Sequence, residues 1–333
     1  MKKNTALVLI SLVVMTIGSV AAPSASTASA TPLPPSGYQP TPPIMAAFFY
    51  PWYSQPSLNW YAVNGMPFTH YHPVFGFYNS TDDRIVDQQL QLAKRAGIQA
   101  MISSWDGPGY FTDTALQHIL ARSERVGSPY QNMRWSIYYE QEGYGDPSVS
   151  QIASDLQYLQ AHFFGQPGWL WVNGKPVVFV YSDGLGNCSM ADRWIQGRQQ
   201  SGVNVYLVLQ AFPGYETCTS QPDSWHQYYP VVGYLSQLPY SVSVSPGFYR
   251  WNESSPRLAR DMNRFTNDIL KMKASGATWQ LITTWNEWPE GTSVEPATEF
   301  GTAYLDAIAG KTPTIFLSPS PTPVPTAPPL QPT

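Results

Sequence analysis

Charge is scarce in this chain. Only 12% of its 333 residues are Asp, Glu, Lys or Arg, and 18 basic side chains against 22 acidic ones leave a net charge of −4. That balance argues against nucleic acid and anionic membrane as partners. Cysteine is nearly absent, at two residues, Cys188 and Cys218. With no Cys-His cluster at ligand spacing, a structural zinc site is not expected. No G-x-G-x-x-G or Walker pattern follows any apolar run, which counts against a nucleotide-binding doubly wound sheet. No internal repeat is visible.

The longest apolar run stands at the N-terminus. Lys2 and Lys3 precede "ALVLISLVVMTIGSVAA", and a small-residue run ends in Ala28-Ser29-Ala30. This is the basic, apolar and A-x-A pattern of a secretory signal peptide over residues 1–30. The stretch is marginal for a membrane span, and an uncleaved anchor is the alternative. The protein is expected to be exported, secreted or attached to the cell surface, without membrane contact once the signal is removed. In an oxidising compartment Cys188 and Cys218 are expected to pair, closing a loop of about 30 residues for roughly 3–4 kcal/mol. Two buried thiols are the other reading.

Aromatic residues, by contrast, are abundant. They make up 14% of the chain, with 12 Trp and 21 Tyr, and hydrophobic residues 43%. A protein acting on polysaccharide would use such rings to stack on flat sugar faces; a large aromatic core would account for them equally well. Proline marks the borders. A Pro-rich lead-in covers 31–44, and a Pro/Ser/Thr-rich tail covers 311–333, including "SPSPTPVPTAPPLQPT". Both read as extended linkers or stalks.

Between them, residues 45–310 alternate strand-like and helix-like segments. "MAAFFYPWY", "QAMISSW", "RWSIYYE", "KPVVFVYS", "VNVYLVLQ" and "WQLITTW" read as strands, with weaker ones near "HQYYP" and "SVSVSP". Helical patterns separate most of them, including a helix expected from about Arg257 to Met272. Such alternation points to an α/β protein with a parallel sheet, and eight strands to a single-domain (β/α)8 TIM barrel. Chemistry then belongs at the C-terminal strand ends. Those ends carry Tyr50 and Trp52, Trp105 and Asp106, Tyr139, Glu140 and Glu142, Tyr181 and Asp183, Gln210, Phe248 and Tyr249. The last strand contributes Trp285, Asn286, Glu287 and Glu290.

Hydrolysis of a glycosidic bond needs a proton donor for the leaving oxygen and a second group at the anomeric carbon, a division two carboxylates can supply. Glu287 and Glu290 have the spacing for it, with Trp285, Trp288 and Pro289 as an apolar setting. A capping role in the first turn of a helix is the plainer reading of an isolated Glu-x-x-Glu pair.

"WNEWPEGTSVEPA" resembles the signature of glycoside hydrolase family 99, the endo-α-mannosidase type, and of related family 71/99-type barrels. "FFYPWY", "GFYNSTD", "AGIQAMISSWDG" and "SVSPGFYRW" support the likeness in order, across nearly all of 45–309. The resemblance implies a (β/α)8 glycoside hydrolase acting on an α-linked glycan with retention. Glu287 would take the proton of the substrate's own 2-hydroxyl, which closes a 1,2-anhydro sugar. Glu290 would protonate the leaving oxygen and then activate the water that opens it. Tyr50, Trp52, Trp105, Asp106, Glu140, Tyr249, Trp285, Asn286 and Trp288 would bind substrate. No cofactor and no metal are implied, and the protein is expected to act as a monomer on a polysaccharide or oligosaccharide.

Pro289, and Glu140-Gln141-Glu142 after the third strand, depart from the family pattern and bear on which sugar is bound. His70 and His72 are loop residues that would either touch substrate or be solvated. Asp82 reads as a helix N-cap and Glu295 as an acid orienting its neighbours. Two alternatives accompany this reading: a non-catalytic glycan-binding barrel, and an inverting endo-α-glucanase.

Overall fold

The computed structural model describes residues 37–54, 59–61, 66–125, 128, 130, 132–183 and 186–312. The signal-peptide segment, the start of the lead-in and nearly all of the Pro-rich tail lie outside these residues.

Eight strands form the barrel: β1 Ile44–Phe49, β2 Ala100–Trp105, β3 Arg134–Tyr139, β4 Lys175–Val180, β5 Tyr206–Gln210, β6 Ser224–His226, β7 Ser241–Val244 and β8 Trp279–Ile282. Nearly every residue in them is buried. Continuous burial is what strands covered on both faces require, and it explains runs such as "IMAAFF" that lack polar alternation. Parallel ladders run from β1 through β2, β3, β4 and β5 to β6, and from β7 through β8 back to β1. Among the described residues no ladder joins β6 to β7. The antiparallel strand Tyr234–Gln237 lies along β7 there, and Ser243 Oγ donates to the Gln227 carbonyl at 2.7 Å. The barrel is (β/α)8 and nearly closed.

Helices α1 Asp83–Ala96, α2 Phe111–Ser123, α3 Val149–Leu159, α4 Cys188–Ser201, α5 Met262–Ala274 and α6 Ala303–Ile308 cover it. Helix α1 begins at Asp82, whose side chain accepts from Arg84 N, and stops at Gly97, φ 83°. That is the acid cap and left-handed glycine stop the sequence shows. Beyond β5 and β6 only single 3₁₀ turns appear, Tyr215–Thr217 and Pro230–Val232. Helix α5 starts about five residues later than its pattern suggests. Leu258 instead pairs in extended form with Phe248, and Asp261 caps the helix by accepting from Arg264 N at 2.8 Å.

Residues 37–43 of the lead-in are docked rather than hanging free. Gln39 bonds both the Trp169 carbonyl and the Trp171 amide, and Arg134 Nε donates to the Tyr38 carbonyl at 2.7 Å. Cys188 and Cys218 form the disulfide, tying the start of α4 to the loop after β5.

Rings fill the barrel interior. Phe48 meets Tyr138 at 4.6 Å between centroids, and Phe179 meets Trp279 at 4.9 Å. Truncating one such ring costs about 3–5 kcal/mol. His226 is packed among them with Nε2 3.0 Å from the Val180 carbonyl, and burial lowers its pKa to about 4, so it is neutral. Much of the aromatic wealth is therefore core, and it forms the floor of the site above.

Candidate active site at the strand ends

The segment after β8 is folded by a few specific bonds. Thr284 Oγ1 accepts from Glu287 N at 2.9 Å, and the Trp285 amide donates to the Phe48 carbonyl at 2.7 Å. Asn286 acts as a splice between chain ends. Its Oδ1 accepts from Tyr50 N at 2.7 Å, its Nδ2 donates to Tyr50 O at 3.0 Å, and its own carbonyl accepts from Tyr53 OH at 2.7 Å. Trp288–Glu290 is a 3₁₀ turn with Pro289 early in it, closed by Gly291 at φ 63°. A Cβ on Gly291 would stand 2.7 Å from the Tyr249 carbonyl, so position 291 is held to glycine by space as well as by φ.

This turn aims both acids at the cleft. Glu287 is 9% exposed, and Tyr228 OH donates to its Oε2 at 2.5 Å. Tyr228 OH also shares a 2.7 Å hydrogen bond with Tyr50 OH. Burial first, and the nearby Glu290 second, raise the Glu287 pKa far above the ordinary carboxyl range. Glu290 lies nearer the mouth, and its Oε1 accepts from Arg250 Nη2 at 2.9 Å. Burial raises its pKa too, but the Arg250 guanidinium works against the rise. Burial therefore weighs more heavily against the charge of Glu287, while Arg250 sits directly on the carboxylate of Glu290.

Glu140, at the end of β3, is a third buried acid. It is 5% exposed with Oε1 unpartnered, and burial raises its pKa to about 8, helped by the charge of Asp106. Its charge bears in turn on Glu287, Tyr50 and Tyr181. Tyr181 packs closely against Gly143, where a Cβ would lie 2.4 Å from the ring atoms Cδ1 and Cε1. Tyr144 is 70% exposed at the mouth, within electrostatic reach of Glu140, Asp106, Glu287 and Glu290. Asp106 is half-buried, with Oδ2 accepting from Thr112 Oγ1 at 3.0 Å. It lines a neighbouring cavity of about 340 Å³ with Tyr110, Tyr139, Gln141, Tyr144, Gln151 and Asp155.

The structure thus gathers Glu287, Glu290, Glu140, Tyr50 and Asp106 at one mouth. Trp52, partly exposed, packs on Tyr50 at 4.5 Å, and Tyr249 stacks on His70 at 3.6 Å. Trp105, Trp285, Asn286 and Trp288 need correction as substrate contacts. Each is 0% exposed and has no surface to offer a sugar. Trp105 Nε1 is bound to Asp113 at 2.8 Å, and Trp288 Nε1 to Glu295 at 3.0 Å. These four residues brace the site from behind. Glu295 takes the orienting role read from the sequence, also accepting from Tyr78 OH and Gln89 Nε2 at 2.7 Å each. Glu142 faces away and binds Arg193 and Trp194. Gln210 is buried, accepting from the Ser182 amide. His72 pairs with Glu299 at the surface.

Two residues of the site escaped the sequence reading, Tyr228 and Arg250. The Tyr228 signal was weak, a tyrosine two positions past a three-residue strand. Arg250 stood next to the quoted Tyr249 but carried no pattern of its own. Among the described residues no group of three His, Cys, Asp or Glu side chains is placed to hold a metal ion, and no helix is long and apolar enough to cross a membrane.

Residues 249–308, which carry both acids, match a family model described as Glycosyltransferase WbsX. The chain is 22% identical over 358 residues to the glycoprotein endo-alpha-1,2-mannosidase of Rattus norvegicus, spanning 85% of this chain and 74% of that one. The Mus musculus protein of the same name is 20% identical, over 82% and 72%. Among solved structures, the GH99 endo-alpha-mannosidase of Bacteroides thetaiotaomicron, in complex with Bis-Tris-propane, superposes with a TM-score of 0.65 at 20% identity. It covers 80% of this chain and 95% of that one. The fold is that of these barrels, and the likeness carried by "WNEWPEGTSVEPA" holds across the domain.

Proposed function

We propose that this protein is a glycoside hydrolase of the family 99 endo-α-mannosidase type, which cuts an α-linked glycan outside the cell with retention of configuration. One observation carries the reading: a buried and a partly buried carboxyl on a single turn, one braced by a tyrosine hydroxyl and the other by an arginine, face the same mouth. A bare glycan-binding barrel has no use for that asymmetry.

Glu287, deep in the pocket, is placed to take the proton of the sugar 2-hydroxyl as that oxygen closes on the anomeric carbon. Glu290, at the mouth, gives a proton to the departing oxygen and afterwards takes one from water. The scheme needs Glu287 ionised and Glu290 protonated, a shift of the pair's proton toward the mouth. Binding favours that shift. A 2-hydroxyl donating beside Tyr228 gives the Glu287 carboxylate a second donor, while a sugar at the mouth strips water from Glu290. Because a substrate hydroxyl is the nucleophile, the carboxyl separation typical of ordinary retaining enzymes does not constrain the pair.

The cavity beside Asp106 supports endo action. At about 340 Å³ it is at the small end of ligand pockets, and Tyr110 and Tyr144 stand exposed at its rim. A chain with its scissile unit over Glu287 has room there for the next residue. The signal-peptide pattern and the Pro-rich tail support an exported or surface-held protein, and a monomer is proposed.

The matched glycosyltransferase description makes transfer to a sugar acceptor the second reading. Incubation with α-mannan and α-glucan panels, with anomeric products followed by NMR from the first turnover, separates the outcomes. Release of the α-anomer from an α-mannan supports the proposal. The β-anomer means inversion, and products only when an acceptor sugar is added mean transfer.

A further inference from the structure

Arg260 sits outside the cleft and carries no part of the chemistry above. Its guanidinium carbon lies 4.3 Å from the Phe300 ring centroid, 4.6 Å from Tyr71 and 4.8 Å from Tyr304. Its Nη2 donates to two carbonyls of the catalytic segment, Ser293 at 2.7 Å and Gly291 at 3.0 Å. Nε and Nη1 are buried without a hydrogen-bond partner. A desolvated guanidinium that leaves donors unmatched is costly unless something else holds it, and here three rings surround it.

We propose that Arg260 is the positioning residue of the acid turn, a pin joining four separate chain segments to set where Glu290 stands. The rings come from the β1–α1 loop (Tyr71), the segment before α6 (Phe300) and α6 itself (Tyr304). Arg260 belongs to the β7–α5 loop. Its two carbonyl acceptors flank Thr292, just past the left-handed Gly291 that ends the turn. From the other side Tyr249 N donates to Glu290 O, and Trp251 N to Pro289 O, each at 2.8 Å. Those bonds fix the turn laterally, and Arg260 fixes its far end. The planar guanidinium matters, because it lies among three rings while its Nη2 reaches both carbonyls, and a lysine would keep the charge without the flat, delocalised group that those rings surround.

This inference rests on Glu290 being a working acid, so its test includes a readout that needs no substrate. The groups facing Glu290 are Arg250, Arg257, Glu253 and Glu287, with the phenols of Tyr144 and Tyr228. Arg260→Lys keeps the charge at this position, so a change in Glu290 titration in that variant reports displacement rather than lost charge. Glutamate carboxyls labelled with ¹³C are titrated by NMR in wild type, Arg260→Lys and Arg260→Met, with Glu290→Gln assigning the signal. An upward shift of Glu290 in the lysine variant, as it withdraws from Arg250, is the expected result.

With turnover, kcat in that variant is expected to fall about 100-fold with KM little changed, the cost of a displacement near 1 Å. Guanidinium ion is expected to restore part of the rate to Arg260→Ala. A folded Arg260→Lys protein with wild-type Glu290 titration overturns the proposal, whatever the methionine variant does. If no glycan is cut by wild type, the reaction assignment fails while the titration still decides this one.

Discussion

Tyr228, two residues beyond β6, donates its hydroxyl to Oε2 of Glu287, 59 positions further along the chain. A donor to a carboxylate favours the ionised form, and this bond is what most opposes the burial that drives the Glu287 pKa upward. A hydrogen bond to a charged group is worth about 1.5–3 kcal/mol, or roughly one to two pKa units. Removing it in Tyr228→Phe leaves Glu287 holding its proton more tightly. Because Glu290 must keep a proton while Glu287 gives one up, tighter holding by Glu287 depletes the working form, and kcat/KM at its pH maximum should fall about 10–100-fold. A maximum that keeps its height would show that Glu287 does not need Tyr228 to shed its proton.

The division of labour between the acids has its own test. Positioned acid–base groups contribute about 10²–10⁴-fold. If Glu290 is the proton donor, Glu290→Gln loses that factor on a natural glycan but keeps most of its rate on a glycosyl fluoride, whose leaving group needs no proton. Glu287→Gln loses both. The swapped pattern would exchange the roles, and the strongly raised pKa of Glu287 makes that exchange the specific rival.

The barrel was readable because its strands are continuous apolar runs, and because α1 carries its start signal in Asp82 and its stop signal in Gly97. The acids were readable because two carboxyls so close together are conspicuous in a chain this poor in charge. Depth was not readable. Trp105 and Trp288 stand one residue from cleft-facing Asp106 and Glu287, yet they point into the wall, and an irregular segment beyond a strand end keeps no two-residue alternation to reveal it. Tyr228 and Arg250 were hidden for another reason. Each becomes functional only by meeting a residue 59 or 40 positions away, a pairing closure of the barrel creates.

The disulfide offers a separate check on the loops around β5. Its 30-residue separation corresponds to about 3–4 kcal/mol of chain entropy in the unfolded state. Reduction, or Cys188→Ser with Cys218→Ser, should lower the unfolding free energy by that much without shifting the pH–rate profile. Unchanged stability would mean that the unfolded chain gains little freedom from the cut.

Stability should fall as pH rises through neutrality, with the buried carboxyls of Glu140 and Glu287 as the main causes. Burial lifts the Glu140 pKa from an ordinary 4.5 to about 8 in the folded protein. Between those values the native state holds a proton the unfolded chain has released, so its contribution is complete at low pH and is lost on approaching pH 8. Glu295, raised to about 7, acts in the same direction. His226 acts oppositely, because its pKa is lowered from 6.5 to about 4 and its contribution is lost on acidification. Above pH 6.5 that opposing slope has ended. Urea denaturation at pH 6.5 and pH 8 should therefore differ by at least about 2 kcal/mol, the share of a single proton held over 1.5 units at about 1.4 kcal/mol per unit. Glu140→Gln should flatten the dependence. A variant with the wild-type slope would mean that Glu140 is already ionised in the fold and draws on a partner or water that its buried Oε1 does not show.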